Sequence, residues 1–306
     1  MKRRFLKNDQ GSTVVLIALA MTVMLGFVAL VVDGGMLFLE RHRLQKAVDA
    51  AVLAGAQELP EFTDRSVKEV KRAISLNGIS DASLNISISE SNRLLEVEAS
   101  HDVELTFARA LGISHSTVSA VAAAGLRPLT SGVGAIPLGV DTSSSLDYGS
   151  SVKLKVGDAV IGNFGALALT GPGARDYETD LKSGYQFEVA VGQLLDTQTG
   201  NMAGPTKKAI EERLAHCPYN GSASYSNYPS DCPLVVLVPI YETLQVDNQN
   251  QVKTVKVKGF ASFFIEGVTG TNTGSEITGR YLKKTHLGDS SSSQENYQTY
   301  GLKIVK

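Results

Sequence analysis

Few residues in this chain have the types and spacing that chemistry needs. Asp141-Thr142-Ser143-Ser144-Ser145 reads D-x-S-x-S directly after the apolar stretch AIPLGV. Asp141, Ser143 and Ser145 together offer one carboxylate and two hydroxyls, hard oxygen ligands for Mg²⁺ or Ca²⁺. The plainer reading is a solvated serine-rich turn, because SLDYGSSVKLKVGD returns at once to turn and strand. Asp176, Glu178 and Asp180 alternate along a short segment, either a cation patch or a solvated face. The glycines of Gly162-Asn163-Phe164-Gly165 and Gly171-Pro172-Gly173 invite a phosphate loop, but no Lys-Ser/Thr pair follows, so they read as tight turns. Thr206 or Lys207, after Gly204-Pro205, could face an anion at a helix N-terminus.

No catalytic set assembles from the rest. His42, His101, His115, His216 and His286 are isolated from one another, and neither H-E-x-x-H nor G-x-S-x-G occurs. Cys217 follows His216, but adjacency along the chain does not bring imidazole to sulfur productively. An enzyme is not expected, and the one cofactor to consider is a divalent cation at Asp141. Cys217 and Cys232 close a loop of sixteen residues rich in turn formers. In an oxidising compartment they read as one disulfide, worth roughly 3 kcal/mol for a loop of that length. Two free thiols are the alternative.

What must position all of this is the stretch Ser12–Val32, twenty-one residues without a charge. As a helix it covers roughly 31 Å, the thickness of a bilayer's hydrocarbon core. A cleaved signal would need a shorter apolar core, and a buried soluble helix would show a polar face. The leader of residues 1–11 carries Lys2, Arg3, Arg4 and Lys7, so it is placed in the cytoplasm and everything after Asp33 outside, with the chain single-pass in the inner membrane. The net charge of −2 and pI near 6.2, with no basic stripe, argue against nucleic acid as a partner.

Gly34-Gly35 reads as a hinge at the membrane surface. Helical spacing then resumes to Pro60, and Ala47, Ala51 and Gly55 line up at i, i+4 and i+8. Such small residues permit close packing on the chain's own domain, or on a neighbouring copy in a homo-oligomer.

The N-terminal segment resembles the TadE/TadG-like family, associated with assembly of Flp-type (tight adherence, Tad) pili in bacteria. The matching features are Gly11 before the apolar run, Asp33 followed by a small residue, Leu44-Gln45 leading to Ala47, then Asp49-Ala50-Ala51 and Leu53-Ala54-Gly55-Ala56. After Gly11 the chain reads Ser-Thr-Val-Val-Leu, without the glutamate of prepilin-type members, so it looks like the uncleaved TadG type. The resemblance implies an accessory role in assembling or anchoring such a pilus, with pilus-assembly or envelope proteins as partners and the bilayer held by residues 12–32. Some TadG-like proteins carry a von Willebrand factor A domain, and D-x-S-x-S is similar to the first part of its metal-ion-dependent adhesion site. The helix that this fold requires straight after the motif is not expected here.

Beyond the anchor the fold class reads as α+β. A stem module over residues 33–126 holds a helix from Thr63 to Asn77, a hairpin turning at Ser91-Asn92-Arg93, a helical turn at Phe107–Leu111 and a further strand. RPLTSGVG, residues 127–134, reads as a linker. Residues 135–288 form a β-rich domain interrupted by one helix near Pro205–His216, and residues 289–306 a polar tail expected to be mobile. The functional expectation is a membrane-anchored pilus accessory protein acting by protein contacts. An adhesive protein using a cation at Asp141, Ser143 and Ser145 and an envelope hydrolase are the alternatives.

Overall fold

The computed structural model describes residues 10–142, 147–156, 165–219, 221–246, 252–271 and 274–305. Chain order begins α1 (Gln10–Ala56), α2 (Thr63–Leu76), β1 (Ser83–Ser89), β2 (Leu94–Glu104), a 3₁₀ turn (Ala108–Leu111) and β3 (His115–Pro128). It continues β4 (Ser131–Val133), β5 (Val140–Asp141), β6 (Ser151–Val156), β7 (Leu167–Ala168), α3 (Ala174–Ser183), β8 (Glu188–Ala190), β9 (Leu194–Thr197) and α4 (Ala203–Ala215). Last come β10 (Val235–Val246), β11 (Val252–Gly270), β12 (Ser275–Leu282), β13 (Lys284–His286) and β14 (Thr299–Ile304). The class is α+β.

The long helix α1 is uninterrupted. It passes through Gly34 and Gly35 as helix, so the expected hinge is absent. Two glycines each weaken a helix by about 1 kcal/mol. Here tertiary contacts on both sides of the pair outweigh that. The helix is long and apolar enough to cross a membrane, and its apolar window is wholly exposed.

The chain divides into two compact units. The first comprises residues up to Ala51, Lys71–Ser87 and Glu96–Ala122. Its core forms where Leu44, Ala47, Val48 and Ala51, spaced as one helical face, are buried together with Val97, Ala99, Val103, Val118 and Ala120. The strand residues alternate, as a sheet with one covered face requires. At the edge of this core the Gln45 amide donates to Val121 O at 3.0 Å and to Asp49 at 2.8 Å.

The second unit comprises Val52–Val70, Ile88–Leu95 and Ala123–Lys306. Its main sheet runs β5-β10-β11-β12-β6, with β9 on β11 and β7 on β9. The long antiparallel pair β10–β11 is its spine; α4 packs on β11 and β12, and α3 packs on α4. Ile136, Tyr177, Ile210, Val238, Phe263 and Tyr281 fill the space between. The turn Glu90-Ser91-Asn92 takes left-handed φ of 52°, 57° and 64°, as the expected hairpin loop needs.

Three expectations change. Residues 127–134 are not an open linker. Pro128 ends β3, Ser131–Val133 pairs with β8, and Leu129 is buried. The polar tail holds β14, antiparallel to β3 and parallel to β13, with Thr299 and Tyr300 buried. Its serine-rich approach hid a strand whose first three residues, Thr299 to Gly301, are buried and whose end is exposed. A second helix, α3, carries Asp176, Glu178 and Asp180 on a helical rather than an extended spacing.

A Cβ at Gly55 would lie 2.5 Å from Val70 Cγ2 and 2.9 Å from Leu95 Cδ2, whereas one at Gly35 meets nothing within 4 Å. Gly55→Ala is therefore predicted to cost about 1–3 kcal/mol by overpacking. Gly35→Ala is predicted to be neutral or stabilising. Thermal denaturation of the full-length protein in detergent, followed by circular dichroism, checks the contrast.

Candidate functional site

The first chemically distinctive group is Asp33. Its carboxylate sits on the same face of α1 as Leu44, Ala47 and Ala51, and is buried. It accepts from the backbone N–H groups of Thr106 at 3.0 Å, Phe107 at 3.0 and 3.3 Å and Ala108 at 2.6 Å. These are the free donors at the start of the 3₁₀ turn, which a carboxylate satisfies as an N-cap would. The arrangement clasps the β2–β3 connection to the helix one residue beyond the apolar run.

Ala47 and Ala51 are completely buried, and Gly55 is covered by Val70, Leu95 and the Ser66 carbonyl. The small-residue stripe is thus filled by the chain's own side chains.

In the second unit a polar corner forms where α1 gives way to α2. Arg65 donates to Tyr228 O at 2.6 Å, reaches Glu58 at 3.4 Å and stacks over the Phe62 ring at 3.4 Å. Glu61 accepts hydrogen bonds from the hydroxyls of Tyr148 and, at 3.2 Å, Tyr228. Thr285 donates to Leu59 O at 2.8 Å. Lys284 is buried nearby, its Nζ 5.5 Å from the Tyr228 ring. Burial raises the Glu61 pKa against the pull of its tyrosine partners, and burial lowers that of Lys284 against the pull of Glu58. The Coulombic gain of such pairs is largely offset by desolvation, so what the cluster chiefly fixes is geometry.

Beside the corner lies a groove of about 740 Å³ whose lining includes Val133, Glu188, Asp231, Cys232, Lys284 and Leu287. Val133, Leu287 and the adjacent Phe187 are exposed apolar side chains. His286, also on the groove, brings Nε2 within 2.9 Å of Ser262 Oγ, which in turn lies 2.9 Å from Thr299 Oγ1. This resembles half of a nucleophile–base pair, but Ser262 is fully buried. Burial, aided by Lys284, pushes the His286 pKa down to about 3, too weak a base to activate a hydroxyl near neutral pH.

The expected Cys217–Cys232 disulfide is not present. Both are free thiols buried in one cluster with Tyr228, Leu234, Phe264 and Leu282. Burial raises the Cys232 thiol, the Leu234 N–H opposes this, and neighbouring Cys217 adds to the rise. The loop between them is clipped without a covalent bond. The Tyr219 hydroxyl donates to Asp231 at 3.0 Å, and Ser224 and Asn227 exchange backbone hydrogen bonds.

Of the cation candidates, Asp141 lies in β5 beside Tyr241, whose pKa burial and then Asp141 push up to about 12. Ser143 and Ser145 lie outside the described residues. Among the described residues no cluster of three or more His, Cys, Asp or Glu side chains could hold a metal. Asp180 accepts from the Thr170 N–H and hydroxyl, and Glu178 pairs with Lys208. The Thr206 hydroxyl bonds Tyr177 in the core, and Asn201 caps the Ala203 N–H. Thr206 is thus taken up by an internal partner, while Lys207 is partly exposed and lies 3.9 Å from Glu211.

The family model described as "Putative Flp pilus-assembly TadE/G-like" matches residues 11–58. The N-terminal segment is TadE/G-like. That match covers the membrane-length part of α1, Asp33, the small-residue stripe and, of the polar corner, Glu58. No curated protein and no solved structure matches the chain.

Sequence reasoning overlooked Asp33 as a ligand for backbone donors, although its register with Leu44 and Ala51 was a readable signal. The Glu61 and Ser262 contacts had none. Because its folded pKa is raised, Glu61 contributes stability fully below its unfolded value, and that contribution is lost as pH rises through the folded pKa. Glu61→Gln is predicted to remove this decline relative to the parent protein, read as thermal midpoint against pH from about 4 upward.

Proposed function

We propose that this protein is a single-pass accessory component of a Flp/Tad-type pilus assembly, acting through protein contacts rather than catalysis. The observation that carries the reading is the TadE/G-like match over residues 11–58 on a helix whose apolar part is exposed and of membrane length. The basic leader supports a cytoplasmic N-terminus by the positive-inside tendency, with the α+β bulk extracytoplasmic. The continuous α1 supports a stiff connection between the anchor and its first packed layer. On the second unit, Val133, Phe187 and Leu287 beside the groove are the surface we assign to partner proteins. Exposed apolar groups gathered at a concavity are the usual anchors of such contacts.

Crosslinking in native membranes, followed by purification of the full-length protein and mass spectrometry, tests this. Recovery of a small pilin, a secretion ATPase or membrane platform proteins of the Tad type is the expected outcome. Recovery of the protein alone or of unrelated wall components would overturn the pilus assignment. The cation-dependent adhesive alternative has its own test. Chelator is predicted to leave the thermal midpoint unchanged, and a midpoint lowered by chelator and restored by Mg²⁺ or Ca²⁺ would revive it.

A further inference from the structure

The turn that Asp33 clasps has a feature the fold does not use. Phe107 is 42% exposed and Ile113 54%, although both belong to a tight, well-bonded turn. Ala110 N–H donates to Phe107 O, Gly112 N–H to Arg109 O and Ile113 N–H to Ala108 O, and Gly112 closes the turn with φ of 87°. On the neighbouring strands of the same unit Val97, Val103 and Val118 are buried, as is Leu105 between β2 and the turn. The apolar groups of this turn are therefore held outward while those beside it are packed.

The level of the turn is set by its hydrogen bonds. Three consecutive N–H groups lie within 3.3 Å of the Asp33 carboxylate. Asp33 is only about 1.5 Å along the helix axis from Val32, the last residue of the apolar run. Around that level the helix surface stays apolar and exposed at Met36, Phe38 and Leu39, and the next charge after Asp33 is Glu40. From Asp33 to Leu39 is about 9 Å of rise. That is comparable with the headgroup zone, about 5–8 Å on each side of a roughly 30 Å hydrocarbon core. A carboxylate whose charge is met by four N–H contacts can lie in that zone without being left unpaired. Arg109, exposed on the same turn, places a cation where anionic headgroups would lie.

We propose that Thr106–Ser114 is a membrane-interface element, with Phe107 and Ile113 inserted at the headgroup–acyl boundary of the bilayer that residues 12–32 cross. The anchor then holds its stem at two points, a helix and a wedge beside it, which limits tilting of the helix against the surface. The attachment of the turn to Asp33, directly after the exposed run of membrane length, commits this face to lipid rather than to a protein partner. The inference rests on the anchoring reading.

The chain contains no tryptophan, so single reporters can be placed cleanly. Phe107→Trp, Ile113→Trp and Leu25→Trp would each be made in the full-length protein and reconstituted into phosphatidylcholine/phosphatidylglycerol vesicles. Emission would be compared between vesicles with plain acyl chains and those brominated near the headgroup or deep in the chain, with circular dichroism confirming the fold. Blue-shifted emission at position 107 or 113, quenched by shallow bromines, together with deep quenching at position 25, is the expected result. Red, unquenched emission at both 107 and 113 with position 25 quenched overturns the wedge and leaves the anchor standing. An unquenched position 25 overturns the anchor, and the wedge with it.

Discussion

A carboxylate placed directly after a membrane-length apolar helix must find donors, and Asp33 finds them in the backbone. Three successive N–H groups at the start of a 3₁₀ turn converge on its two oxygens. The first unit is arranged around that demand. The buried stripe of α1 starts at Asp33 and continues through Leu44, Ala47, Val48 and Ala51, so one register satisfies the charge and packs the sheet. Rotating the helix by one residue, about 100°, would carry the carboxylate away from its donors and the alanines away from the core together. This coupling also accounts for the helix running straight through Gly34 and Gly35, because contacts on both sides of the pair hold one register.

The second unit solves a different problem, that of holding a sharp corner against a β-domain. Close approach is obtained by leaving out side chains at Gly55 and by filling the remaining space with Val70 and Leu95. Polar groups drawn into the corner are met individually, Glu61 by two tyrosine hydroxyls and Arg65 by a carbonyl, a carboxylate and an aromatic face. Arg213 follows the same rule, donating to Leu181 O and Pro233 O while burial lowers its pKa to about 10. The pKa values of such groups are shifted mainly by burial, which is how structural networks and functional sites come to look alike on that measure alone.

Cys217 and Cys232 illustrate the same point. Their spacing and the polar loop between them favour a bond, yet the loop is held by Tyr219 on Asp231, by a reciprocal backbone pair and by Tyr228, which bonds Glu61 and Arg65. Two buried sulfurs then serve as small apolar groups in a cluster that includes Leu282 and Phe264.

The amino-acid order by itself determined what depends on local periodicity and composition. The charge-free run, the stripe at Ala47, Ala51 and Gly55, the hairpin at Ser91-Asn92-Arg93, the β-rich character of the later chain and the TadE/G-like segment were all legible there. The tertiary structure alone decided which segments meet. Asp33 bonds residues 73 to 75 positions away, Glu61 reaches Tyr148 and Tyr228 across 87 and 167, and Thr285 reaches Leu59 across 226. It also turned the residues expected as linker and tail into β4 and β14, because a strand short in apolar residues is specified by the partner it pairs with. Local rules act over a few residues, whereas these contacts close long loops whose modest entropy cost leaves no trace in any short stretch of sequence.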